Sequence, residues 1–319
     1  MNQKEIGGYF SLELDLCEEY HKNAISLNNA RAGLQYLLRS KKYKKIYLPY
    51  YICGCVLQPI TAENIEYEYY HINGQFEPIF DKKIFGDECF YYVNYFGINS
   101  SNVKSICDRY NNVIIDNTQA FYSMPEAGVD TIYSPRKFFG VPDGGYLYTN
   151  TYLDEIFIKD ISYSRMKHLL KRIDLSANEG YTSFQDDEKL LDNAGIKFMS
   201  NLTKRILCSI DYEKCAVQRI DNFLNLENTL KKYNLLDLPS LNSQVPMVYP
   251  FMVENTNLRN FLIQNKIYIP TYWKDVLKNV NKESIEAKYT NCMLPLPIDQ
   301  RYDVADMKVI VDNILAFLE

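Results

Sequence analysis

The chain has 319 residues, 47% of them hydrophobic, with 35 Lys and Arg against 40 Asp and Glu for a formal net charge of −5. That composition supports a large buried core, and the length suits one large domain plus a smaller one. The acidic balance supplies no basic surface for nucleic acid or an anionic membrane, so neither is expected as a partner. No run approaches the roughly 20 apolar residues of a membrane-spanning helix. The opening MNQKEIGGYF lacks the apolar centre of a secretory signal, so a cytoplasmic location is expected. Eight cysteines are then read as small buried hydrophobes of a reducing compartment. Cys53 and Cys55 form the one close pair, and with three histidines in the whole chain no metal site is expected.

The elements alternate along the chain. NARAGLQYLLRS has helical spacing at Leu34, Leu37 and Leu38, and KKIYLPY reads as a short strand ending near Pro49. ICGCVLQPI reads as helix, IEYEYYHI alternates as a strand, and CFYYVNYF is the unbroken apolar run of a strand buried on both faces. SSNVKSICDRY is a short helix with an expected serine cap. NNVIID, DTIYS and GGYLYT are three further strands. From about Tyr152 to Lys232 the pattern becomes mainly helical and polar. The last section holds MVYPFMV, a helix at NLRNFLIQN, a strand-like IYIP and a closing helix VADMKVIVDNILAFL.

Strands alternating with helices predict an α/β fold with a mostly parallel central sheet in a large domain, residues 1–232, and a smaller α+β C-terminal domain, residues 233–319. In such sheets ligands sit at the carboxyl ends of strands. Three places collect chemistry there. Asp116 ends VIID, so an apolar strand delivers a carboxylate to the rim. Lys137 follows DTIYS within a tight loop, and LNNARAGL opens a helix whose free N–H groups and dipole suit a phosphate. An acid, an amine and an anion cradle are what pyridoxal 5′-phosphate requires: the amine forms a Schiff base, the carboxylate keeps the pyridine nitrogen protonated, and the cradle holds the phosphate. Taken singly, a strand-end aspartate is more often a turn residue and a loop lysine is more often solvated. Their occurrence in order within one alternating unit is the stronger signal.

At these motifs the sequence resembles the DegT-type sugar aminotransferases, of the aspartate-aminotransferase-like fold type I, over nearly its whole length. IIDNTQAFYS is similar to the family's Asp-x-x-Gln segment, which implies Asp116 at the pyridine nitrogen and Gln119 against the ring. DTIYSPRKFFGVPDGGYLY resembles the Schiff-base loop, which implies Lys137 as covalent anchor and acid/base, Ser134 as a cofactor contact, and a turn at Gly144 and Gly145. Phe138 and Phe139 would then exclude water from the amine, and Arg136 either adds positive charge or is a surface residue. YVNYFG, ending at Gly97, is like the strand before the crossover helix.

The sequence departs from the family in a short C-terminal domain and at three motif positions. Asn29, Ala30 and Arg31 stand where the family has a glycine and a small hydroxyl residue, leaving backbone N–H groups and the Arg31 guanidinium for the phosphate. The stacking aromatic aligns with Cys53, so either Tyr51 supplies the ring from a shifted register or stacking is weaker. In AGIKFMSNL, which resembles the loop reaching into the neighbouring subunit, Lys197 replaces an asparagine and either reaches a phosphate as a point charge or is a surface residue.

The implied activity is amino transfer to a keto group of a nucleotide-linked sugar for surface polysaccharide, with glutamate as donor, in a homodimer. A dehydratase or lyase using the same cofactor is the second enzyme reading; the retained lysine weighs against it, since dehydrating relatives carry histidine there. A scaffold or binding protein that kept the fold and lost catalysis is the reading from another class.

Overall fold

The computed structural model describes residues 6–318. A short strand β1 (Ile25–Leu27) leads into α1 (Ala30–Lys41), followed by β2 (Lys45–Pro49), α2 (Leu57–Ala62), β3 (Glu66–Ile72), β4 (Pro78–Ile79), β5 (Glu88–Val93), α3 (Ser100–Arg109), β6 (Val113–Asp116), β7 (Asp130–Tyr133) and β8 (Gly145–Tyr148). These strands form one eight-stranded sheet in the order β1-β8-β7-β6-β5-β2-β3-β4. Neighbours from β7 through β6, β5 and β2 to β3 are parallel, and antiparallel strands close each side. Every residue of β6 and β7 is buried, as expected of central strands in a sheet covered on both faces.

The carboxyl ends of the parallel strands share one rim. Strand order reverses between β2 and β5, which opens a crevice on that rim.

Beyond β8 the chain is irregular to about residue 162, then helical through α4 (Lys167–Asp174), α5 (Ala177–Leu191), α6 (Asn201–Leu207) and α7 (Tyr212–Leu230). A two-stranded antiparallel sheet of β9 (Val248–Met252) and β10 (Met293–Pro297) follows, with α8 (Asn257–Gln264), α9 (Ile285–Cys292) and α10 (Val304–Leu318). The long helix α7 packs on it, with the Phe223 ring 5.0 Å from that of Tyr249. The fold is therefore α/β with a mostly parallel main sheet and a small second sheet. Among the described residues no helix is long and apolar enough to cross a membrane.

Three local expectations fail. IYIP forms no strand: Ile267 and Ile269 are buried, but among the described residues the segment pairs with no other strand, and apolar alternation without a ladder partner is not a strand. Ser100 is the first residue of α3 and not its cap; its N–H donates to Gln244 Oε1 at 2.8 Å, and the residue before it, Asn99, makes no side-chain cap. Among the cysteines Cys89 alone is buried, Cys17 is exposed and the rest are half-buried, because most sit at loops and helix flanks.

Candidate active site

The rim opens onto a cavity of about 310 Å³, at the small end of the roughly 300–1,000 Å³ usual for ligand pockets. Eight of the ten residues singled out from the sequence line it: Asn29, Ala30, Arg31, Cys53, Asp116, Gln119, Ser134 and Lys137. Asp116 and Lys137, delivered by the ends of β6 and β7, thus meet in one space.

Their geometry follows from two turns. Asp116 Oδ1 accepts the N–H of Thr118 at 2.8 Å, the local turn an aspartate makes with the backbone two residues on. That turn presents the Thr118 hydroxyl, which accepts from Lys137 Nζ at 2.8 Å. The second carboxylate oxygen, Oδ2, accepts from the Tyr91 hydroxyl at 2.9 Å. Complete burial, reinforced by the facing Asp116 carboxylate, pushes the Tyr91 phenol well above its ordinary value, so it remains a donor to a charged acceptor. Lys137 itself ends a 3₁₀ turn, Pro135–Lys137, for which Pro135 is preset at the first helical position.

Phe138 and Phe139 turn the other way. Both are buried against Phe121, with ring centroids 5.6 and 5.1 Å from it, and neither lines the cavity. They anchor the loop from behind, which corrects the expectation that they exclude water from the amine. Gln119 also braces the backbone: its Oε1 accepts the Phe96 N–H at 2.9 Å, holding a tight turn after β5 in which Phe96 has φ 60 and Gly97 φ 74. A Cβ on Gly97 would meet the Gln119 carbonyl oxygen at 2.9 Å.

The start of α1 lines the same cavity. Asn29 caps it, its Oδ1 accepting from the Ala32 N–H at 2.8 Å, and the first-turn N–H groups have no intrahelical acceptor. Gly145 makes this approach possible. A Cβ there would sit 2.3 Å from the Asn29 carbonyl carbon, a backbone clash that no rotamer relieves, so β8 passes beneath the helix start only as glycine.

Two guanidiniums reach the same space and each meets a carboxylate from the α5 region. Arg31 bonds to Gln58 Oε1 at 3.0 Å and Asp192 Oδ1 at 2.6 Å. Burial works against the Asp192 carboxylate, but bonds from Gln58 and Arg31 hold it below its usual range. Arg136 pairs with Glu188 and is no surface residue: its Nε is buried without a partner.

Tyr51 and Lys197 do not line the cavity. Tyr51 is fully buried among Tyr95, Trp273 and Tyr289, because the chain turns tightly after β2, Ile52 N–H bonding back to the Tyr50 carbonyl at 3.0 Å. Cys53 therefore faces the cavity, its Sγ 3.0 Å from that of Cys55, and Trp273 supplies an aromatic wall. Lys197 has its Nζ 3.8 Å from Asp160, while its carbonyl accepts from the Asn28 N–H at 2.9 Å.

Sequence reasoning missed Tyr91, Thr118, Glu188, Asp192, Cys55 and Trp273 as wall residues. Thr118 was open to detection, two places after a strand-end aspartate. Glu188 was not, since a carboxylate in a polar helix resembles a solvated face.

No family model matches the sequence, and no match was found among curated proteins. Solved structures do match. A DegT/DnrJ/EryC1/StrS aminotransferase from Brucella abortus aligns over 92% of this chain and 85% of its own at 15% identity with a TM-score of 0.61. The sugar aminotransferase CalS13 from Micromonospora echinospora aligns over 92% and 87% at 13% identity, TM-score 0.61. The PLP form of Spr1654 from Streptococcus pneumoniae aligns over 91% and 85% at 14% identity, TM-score 0.63. At such identities the likeness establishes the fold alone, an α/β fold that this chain shares with these proteins. The structures it resembles include a DegT/DnrJ/EryC1/StrS aminotransferase and sugar aminotransferases.

Proposed function

We propose that the chain is a pyridoxal phosphate-dependent aminotransferase that moves an amino group from glutamate to a keto group of a nucleotide-linked sugar, within amino-sugar synthesis for surface polysaccharide, as a cytoplasmic homodimer. One observation carries the reading: Lys137 and Asp116, joined through Thr118, line a single cavity together with a helix N-terminus. The structural likeness to sugar aminotransferases, one of them in a PLP form, supports it.

The residues fit the cofactor. The unpartnered Arg136 Nε and the start of α1 suit a phosphate, with the Arg31 side chain adjacent. Asp116, with both oxygens held, would stabilise a protonated ring nitrogen and carry no proton itself. When bound, the cofactor supplies an aldehyde that carries the amino group and a ring that takes up electrons. Lys137 would anchor the aldehyde and, once displaced by the donor, carry the donor's α-proton on Nζ. Thr118 holds that nitrogen at 2.8 Å and orients it. Trp273 and Tyr91 complete the wall. Lys197, outside this chain's cavity, would serve the neighbouring subunit.

The test is the first half of the reaction. Protein loaded with pyridoxal phosphate and given glutamate alone should yield pyridoxamine phosphate and 2-oxoglutarate in equal amounts. No conversion with any amino donor would overturn the assignment and favour the scaffold reading.

A further inference from the structure

Amino transfer makes no use of a thiol, yet the cavity wall contains two. Cys53 and Cys55 both line it, with their sulfurs 3.0 Å apart. Cys53 immediately precedes the 3₁₀ turn Gly54–Val56, and Cys55 lies within it. Lys137 and Arg31 add positive charge from two other elements lining the same cavity. We propose that Cys53 and Cys55 form a redox modification site, a dithiol that closes reversibly into a disulfide by exchange with small disulfides.

The geometry suits each step. The contact with Cys55 pulls the Cys53 thiol down, with Lys137 and Arg31 reinforcing it against burial; the same contact and burial push Cys55 up. Cys53 is thus the attacking thiolate and Cys55 the resolving thiol. Cys53 attacks one sulfur of a small disulfide, forming a mixed disulfide and releasing one thiolate. That thiolate takes the Cys55 proton; the Cys55 sulfur then attacks the Cys53 sulfur and displaces the second small thiolate, which is protonated from solvent. Two protein thiols lose two electrons and the small disulfide becomes two thiols. Residues two apart in such a turn have Cα atoms about 5–6 Å apart, inside the roughly 4.4–6.8 Å a disulfide spans. Both residues are partly exposed on the cavity wall, which gives a small disulfide a route to them.

The consequence reaches the proposed activity, since closure removes a thiolate from beside the lysine. The site itself stands without that reading, and its test uses the full chain without cofactor. The protein is incubated with glutathione disulfide at pH 7, quenched with acid, alkylated and mapped by mass spectrometry. The peptide holding both residues should lose two hydrogens and carry no glutathione. Cys55→Ser should stop at a stable glutathione adduct on Cys53, and Cys53→Ser should slow reaction of the remaining thiol at least about tenfold. A peptide that stays reduced while the exposed Cys17 reacts, or a wild-type chain that retains glutathione on Cys53, would overturn the assignment.

Discussion

Tyr91 holds the Asp116 carboxylate of the proposed site and Thr118 the Lys137 amine. Tyr91 gives Asp116 a buried hydrogen bond of 2.9 Å, and a bond to a charged acceptor is worth about 1.5–3 kcal/mol. Tyr91→Phe keeps the ring and deletes that bond. The expected result is a fall of about tenfold to a hundredfold in the amino-transfer rate, read as kcat in steady-state assays, with the protein still folded. An unchanged kcat would show that Asp116 needs no support at Oδ2. Neighbouring residues also show why parts of the site were hard to read in advance. Tyr51 and Cys53 sit two places apart in PYYICGC, and a single tight turn decided which enters the core and which enters the cavity.

Elements carry a second dependence, on pH. His21, which precedes β1, is fully buried among the rings of Phe121, Tyr133 and Tyr146. Its Nε2 lies 2.7 Å from the Phe121 carbonyl, which requires an N–H there, and Nδ1 lies 3.2 Å from the Tyr148 hydroxyl, which can donate to it. Both contacts fit a neutral imidazole. Burial pulls the group down to about 4, against a weaker upward pull from the carbonyl. A folded-state value below the unfolded one means that the stabilisation is complete above pH 6.5 and is lost as the pH falls from there through about 4. The amount is about 3 kcal/mol. Urea unfolding at pH 7 and pH 4.5 checks it. The wild type should lose more stability over that interval than His21→Asn, by about 2 kcal/mol, and equal losses would show that His21 is not held neutral. This contact ties the N-terminal segment to β8 and to the stretch that follows Asp116, so acid should loosen the site's support before its walls.

Between the two sheets, Arg219 links the lysine loop to the C-terminal strands. Its guanidinium donates to the Phe138 carbonyl at 3.2 Å and to the Met247 carbonyl at 3.1 Å, and its Nε to Gln300 at 3.0 Å. Nothing local in the sequence announces such a clamp, because its carbonyl partners are 28 and 81 residues away along the chain. The parallel sheet was legible for the opposite reason: strand and helix periods alternate over short distances, and the carboxyl ends of parallel strands must share one rim. That rule alone brought Asp116 and Lys137 together. The wall residues Glu188, Asp192 and Trp273 arrive from distant elements, and their local patterns read as a solvated helix face or a core aromatic. Lys137 is where the fold meets the proposed chemistry, and the direct measurement is borohydride reduction of protein loaded with pyridoxal phosphate, followed by peptide mapping. One pyridoxyl group per chain is expected, on Lys137, and none in Lys137→Ala; label on another lysine, or none in the wild type, would show that the amine does not anchor the cofactor.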